Sequence, residues 1–148
     1  MNDEKWMECA IAEAQRAAEI DEVPIGAVIV REGRIIASAH NTRETDKNPL
    51  AHAEIGAIKK ASEILGGWRL LECTLYVTLE PCPMCAGAIV NARIPRVVFG
   101  AYDRKAGALG TLYDLAEGKL NHTPEVAGGV LEEECAALLS GYFRNKRK

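Results

Sequence analysis

Four residues in two short stretches carry the groups best suited to chemistry: His52 and Glu54 in His52-Ala53-Glu54, and Cys82 and Cys85 in Pro81-Cys82-Pro83-Met84-Cys85. Each stretch stands where a helix is predicted to begin. Cys82 reads as a cap residue with Pro83 at the first helical position, where a missing amide proton does no harm. Cys85, three residues on, projects from the same face, so both thiols can reach one atom. A helix N-terminus also favours the thiolate, which is the ligand form. Zinc takes four tetrahedral ligands; two thiolates and an imidazole supply three and leave a place for water, the pattern of a catalytic site. His52 is the natural third ligand, and Glu54 is better used beside that water as a proton carrier than as a ligand. A four-cysteine structural site would need a second close cysteine pair, and the sequence has none. Taken alone, C-x-x-C fits a thioredoxin-like redox pair as well, and H-x-E says almost nothing. Together they favour the metal, because both open helices after strands whose carboxyl ends form the usual crevice of an α/β sheet.

The elements that must position these groups are legible in the hydrophobic pattern. Residues 3–20 repeat Met7, Ala10, Ile11, Ala14, Ala17 and Ala18 at helical spacing, with Glu8, Glu13, Gln15, Arg16 and Glu19 mostly on other faces and Asn2 or Asp3 as cap. Residues 25–30 and 34–39 are short β-branched runs joined by Glu32-Gly33, a hairpin signal. A polar loop over 41–49 precedes a helix over 52–65 with helical spacing at Ile55, Ile58, Ala61 and Leu65, stopped by Gly66-Gly67. Strand 74–79, helix 83–92 and strand 95–100 follow. Beyond a glycine-bearing loop at 102–110, the pattern predicts a short helix over 112–116, a weak fifth strand over 125–130 and a closing helix from 131 to about 147. Strands alternating with helices imply parallel crossovers in one sheet. The predicted architecture is a three-layer α/β/α sandwich with a mixed sheet of about five strands.

Length and composition agree. At 148 residues, 48% apolar and 26% charged, the chain fits one domain over 1–148 and excludes disorder or low complexity as its main content. No run of 18 apolar residues predicts a membrane span, and the acidic start Met1-Asn2-Asp3-Glu4 is unlike a secretory signal, so a cytoplasmic location is expected. Cys9, Cys73 and Cys135 stand alone in apolar or amphipathic surroundings and read as small buried hydrophobes. The net charge of −3 is unevenly spread: Arg144, Lys146, Arg147 and Lys148 fall in the last seven residues, while residues 1–141 carry 14 basic and 21 acidic groups, a net of −7. An acidic body carries a basic tail, which suits the negative end of a helix dipole or a phosphate backbone.

H-A-E with P-C-x-x-C is the signature of the zinc-dependent cytidine/deoxycytidylate deaminase superfamily. The chain resembles that superfamily's bacterial tRNA-specific adenosine deaminases through E-V-P-I-G-A at 22–27, A-H-A-E at 51–54, W-R-L at 68–70, T-L-Y-V-T-L-E-P-C-P-M-C-A-G-A-I at 74–89, R-I-P-R-V-V-F-G-A at 93–101 and E-C-A-A-L-L at 134–139. The resemblance implies a cytidine deaminase-like fold, a homodimer, one Zn2+ per subunit, and hydrolysis of adenosine to inosine at the wobble position of the tRNA anticodon. His52, Cys82 and Cys85 would hold the metal. Glu54 would carry a proton to ring nitrogen 1 as carbon 6 is attacked, and then help ammonia leave. Asn41 and Asp103 correspond to nucleoside-contacting positions; Pro24, Ile25 and Ala53 would wall the base pocket; Phe143 and Arg144, with the basic tail, would meet the anticodon stem-loop. Leu50 stands where threonine is common and Thr123 where arginine is common, so the fine reading of the anticodon loop departs from the pattern. His122 reads as a surface histidine.

Two other functions fit parts of this pattern. A small-molecule deaminase of guanine, cytosine or a nucleotide shares the zinc motif but has no use for the basic tail. A binding or redox module built on the Cys82–Cys85 dithiol has no use for Glu54.

Overall fold

The computed structural model describes residues 2–146. Its elements are α1 (Asp3–Glu19), β1 (Gly26–Arg31), β2 (Arg34–His40), α2 (Ala53–Leu65), β3 (Cys73–Leu79), α3 (Pro83–Asn91), β4 (Arg96–Ala101), β5 (Glu125–Ala127) and α4 (Glu132–Lys146). The strands form one sheet in the order β2-β1-β3-β4-β5. β1 runs antiparallel to β2 and β3, whereas β3, β4 and β5 are parallel. The β1–β2 hairpin turns on Glu32 and Gly33, both with positive φ (52° and 73°), as a two-residue turn matched to strand twist requires.

Strand periodicity divides the core between two faces. Ala27, Ile29, Leu75, Val77, Val97 and Phe99 belong to the larger cluster, under α2 and α3. Val28, Val30, Tyr76 and Val98 point the other way and join Met7 of α1 and Cys135 of α4. The layered sandwich with helices on both faces is thus as the pattern required.

Four details differ from the sequence reading. Residues 112–116 form turns and not a helix, because the carbonyls of Gly107 and Ala108 accept the amides of Leu112, Tyr113 and Leu115 across five to seven residues, which precludes helical bonding; a bridge joins Leu109 to Asp114. β5 is only three residues long, since Gly128 and Gly129 lead the chain away. In α2 the fully buried positions are Ala53, Ala57 and Ala61, with Ile55, Ile58 and Leu65 half-buried at the flanks. Alanine lets this helix approach the sheet closely. In α1, Ala18 is exposed and Glu13 is buried, its carboxylate 3.2 Å from His40 Nδ1 and 3.3 Å from Arg16. The cap of α1 is Asn2, whose side chain accepts the Lys5 amide. Among the described residues no helix is long and apolar enough to cross a membrane.

Candidate metal centre and its cleft

The two helices on the larger face both begin at the candidate site. His52 is the N-cap of α2 and Cys82 the N-cap of α3; both backbones are extended, and neither side chain caps its own helix. Imidazole and thiol are therefore free to face each other, while Pro83 starts α3 without requiring an amide donor. Cys85, one turn into α3, is fully buried.

His52 Nδ1 lies 3.7 Å from Cys82 Sγ and 3.5 Å from Cys85 Sγ. All three ligand atoms lie within 4.8 Å of one another. A tetrahedral zinc with ordinary Zn–S and Zn–N bonds has nitrogen-to-sulfur edges of about 3.6 Å, so the donors match this ion in type and spacing. The electrostatics point the same way. Cys82 is pushed down to about 4, first by the hydrogen bond it accepts from the Cys85 thiol and next, against its burial, by His52. Cys85 is pushed up as that donor, and His52 is raised, chiefly by its bond to Cys82.

Glu54 sits in the first turn of α2 and is 4% exposed. Burial lifts its carboxyl to about 7, where a group can both take and give protons near neutrality. It faces a cavity of about 150 Å³ whose lining includes Ile25, His52, Cys82, Glu80 and Asp103. A second cavity of about 100 Å³ shares Ile25 and His52 and adds Asn41, Arg43 and Ala53. A larger cavity of about 540 Å³ lies between α1 and α4, but its lining contains no member of the His52–Cys82–Cys85 cluster. The polar groups that could act on a substrate converge on the smaller pair.

The structure thus brings Asn41, Ile25, Ala53 and Asp103 to the cluster. Asn41 is 6% exposed and firmly held: its amide nitrogen donates to the Val23 carbonyl, and its oxygen accepts from the Arg43 amide. Asp103 accepts the amides of Lys105 and Ala106. Pro24 lines the α1–α4 cavity and not those that His52 lines, because the Ile25 amide bonds the Val23 carbonyl in a three-residue turn that carries the Pro24 ring away from the side Val23 and Ile25 share. Phe143 and Arg144 are exposed on α4 and line none of the cavities that His52 lines. Within the tail, Lys146 lies 2.6 Å from Asp21, which also accepts from the Tyr142 hydroxyl, tying α4 to the end of α1; Arg147 and Lys148 lie outside the described residues. His122 lies 2.7 Å from the Ile94 carbonyl, and Leu50 is exposed.

Besides Glu13, sequence reasoning missed two buried carboxylates that hold the loops of the cleft. Glu22 accepts the amides of Glu44 and Thr45 and pins the loop leading to His52. Glu80 accepts from Asp103, Leu109 and Thr111 and pins the loop across the cleft. The one sequence signal for Glu80 is an acid closing an apolar strand run. Arg43, on the rim beside Asn41, had no distinguishing signal at all.

Comparison with known proteins narrows the chemistry. Residues 1–147 match the family model for MafB19-like deaminases. A Bacillus subtilis (strain 168) protein named tRNA-specific adenosine deaminase is 58% identical over 147 residues, covering 99% of this chain and 91% of its own length. A solved structure from work on A-to-I editing by tRNA:A34 deaminases at the wobble position of transfer RNA superposes with a TM-score of 0.87 at 47% identity, over 91% of this chain and 99% of that one. A guanine deaminase of Bacillus subtilis superposes with a TM-score of 0.66 at 30% identity, over 100% of this chain and 96% of that one. The chain belongs to the MafB19-like deaminase family and, within it, to the tRNA-specific adenosine deaminases.

Proposed function

We propose that this protein hydrolyses adenosine to inosine at the wobble position of a tRNA anticodon, as a single zinc-dependent deaminase domain over 1–148 that works as a cytoplasmic homodimer with one Zn2+ per subunit. The observation that carries the reading is the His52–Cys82–Cys85 trio at tetrahedral spacing with the buried Glu54 carboxyl beside it. A zinc ion held by these three side chains supplies a nucleophilic water at neutral pH.

The chain's own groups account for the rest of the reaction. Glu54 would take one proton from the attacking water and hand it to ring nitrogen 1 of adenine as the bond to carbon 6 forms; it would then take the second proton from the new C6 hydroxyl and hand it to the amino group, which leaves as ammonia as the C6 carbonyl of inosine forms. Its shielding from solvent keeps the carboxyl near neutrality, so neither transfer is strongly uphill. Ile25 and Ala53 wall the base, Asn41 offers its remaining amide valences at the rim, and Asp103 faces the same cavity from the opposite loop. A cleft this small accommodates a base only when it is out of the stack, as in a loop nucleotide or a flipped base. Arg144 and Phe143, away from the chemistry, suit the stem-loop, whose phosphates the acidic body would otherwise repel. Recognition of tRNA over a free base is favoured by 58% identity to the tRNA deaminase against 30% to the guanine deaminase.

The test is to incubate the zinc-loaded protein with tRNA anticodon stem-loops and, separately, with free guanine, cytosine and adenine, scoring inosine and ammonia. Inosine only at the wobble adenosine is the expected result. Ammonia from free guanine with no inosine in any stem-loop would replace this reading with the small-molecule one.

A further inference from the structure

Glu80 is the last residue before Pro81-Cys82, just past the end of β3, and is 2% exposed. Its Oε1 accepts the Asp103 amide at 3.1 Å and the Thr111 hydroxyl; its Oε2 accepts the amides of Leu109 and Thr111, each at 3.1 Å. Four donors fill the roughly four lone-pair sites of an ionised carboxylate, and all four come from one loop. The loop backbone closes tightly over the carboxylate: a Cβ at Gly107 would lie 2.5 Å from Glu80 Oε1 and from the Asp103 carbonyl. The Ala108 amide bonds the Pro81 carbonyl, so the loop is stitched to the segment that delivers Cys82.

Merely filling this space would need only an apolar side chain, which is easier to bury than a carboxylate. A carboxylate aligned on four donors does something a plug cannot, since it admits only one register of the loop. That register places Asp103, whose side chain is oriented by the Lys105 and Ala106 amides, in the same cavity as Glu54 and Cys82. We propose that Glu80 is a positioning residue that holds the 103–111 loop, and through it Asp103, against the Cys82 end of β3, so that the substrate wall of the cleft is set before substrate arrives. The proposal rests on the deaminase reading above for what the wall binds.

The experiment compares wild type with Glu80→Gln, Thr111→Val and Gly107→Ala as zinc-loaded full-length proteins. It measures zinc content, amide hydrogen exchange across 103–111, and kcat and KM on a tRNA anticodon stem-loop. Expected are unchanged zinc, exchange in 103–111 faster by about tenfold in Glu80→Gln, and KM raised about tenfold with kcat within about threefold, because the cost falls on ordering the wall when substrate binds. Thr111→Val, which removes one donor of four, should lie between wild type and Glu80→Gln; Gly107→Ala should resemble Glu80→Gln while keeping the carboxylate. If Glu80→Gln fails to fold, the milder Thr111→Val decides the matter with the same readouts. A fall in kcat with KM unchanged would overturn the proposal by putting Glu80 in the chemistry. So would unchanged exchange, or faster exchange with both kinetic constants unchanged. Wild type inactive on every stem-loop would overturn the functional reading instead, while the exchange rates decide the hold on the loop by themselves.

Discussion

Helices α3 and α4 are built on opposite plans. α3 is nine residues long and buries Cys85, Ala86, Ile89 and Val90, with no charged residue in its first or last turn. α4 is fifteen residues long and buries only Cys135, with Glu132, Glu133 and Glu134 in its first turn and Arg144 and Lys146 in its last. The difference matches the roles proposed above for the two ends. A group that acts on bonds must be held within a fraction of an ångström, and packing provides this. A group that attracts a phosphate backbone needs only to be charged and hydrated until the partner arrives. Acids at the start of α4 and bases at its end also suit the helix dipole, so the helix can extend into solvent while burying little of its surface.

This contrast is most severely tested at the ligands. Cys82→Ala or Cys85→Ala should lose zinc and activity together, since two remaining protein ligands leave the site too open; elemental analysis showing full zinc in either variant would break the assignment. Next in size, Glu54→Ala should keep its zinc and fold but lose activity by about 10²-fold or more. The charge-removing variant Glu54→Gln sharpens this through pH. The folded pKa of about 7 lies above the unfolded value, so folding disfavours the ionised form, and the destabilisation sets in once the unfolded chain ionises. In zinc-free protein, wild type should therefore lose stability relative to Glu54→Gln as pH rises from about 5 through 7, read from urea midpoints at each pH.

Packing gives a smaller contrast. Ile89→Ala, at a fully buried position of α3, should cost about 2–5 kcal/mol, whereas Leu138→Ala, half-buried on α4, should cost about 1 kcal/mol or less. Equal costs in urea titrations would erase the proposed difference between the helices. The smallest effect is at the tail. Changing Arg144, Lys146, Arg147 and Lys148 to alanine should shrink the slope of log binding constant against log salt by about 0.7–0.9 for each phosphate the tail neutralises. Turnover at saturating stem-loop should change much less. The Lys146–Asp21 pair is exposed on both sides, so solvent screens it and the urea midpoint should hardly move.

Several parts of the molecule were legible because their signals are local. Helix starts announce themselves through a cap and a proline, so the openings at His52 and Cys82 could be placed from neighbouring residues alone. The hairpin at Glu32-Gly33 and the stop at Gly66 were equally readable, since positive φ limits which residues fit. The segment 112–116 was misread for the opposite reason. Its apolar spacing mimics a helical turn, but the competing acceptors, the carbonyls of Gly107 and Ala108, belong to a loop whose path Glu80 governs from 23 to 31 residues earlier. Pro24 failed similarly. Its place beside Ile25 said nothing of which cavity each would face.

Residue types and short spacings were enough to read the donor set and its chemistry: two thiols, an imidazole and a carboxyl at two helix starts, together with the alternating strands that make a layered sheet. These are properties of residue type and short spacing, and hence of the chain's local physics. That His52 comes within 3.7 Å of two cysteines 30 and 33 residues away is a product of the fold. So are the burial of Glu54 away from water and the inward turn of Glu22 and Glu80, which hold the two loops of the cleft. Solvent access and long-range approach arise when α2 and α3 settle on the same face of the sheet, and no spacing along the chain encodes how deeply a given carboxylate will then be buried.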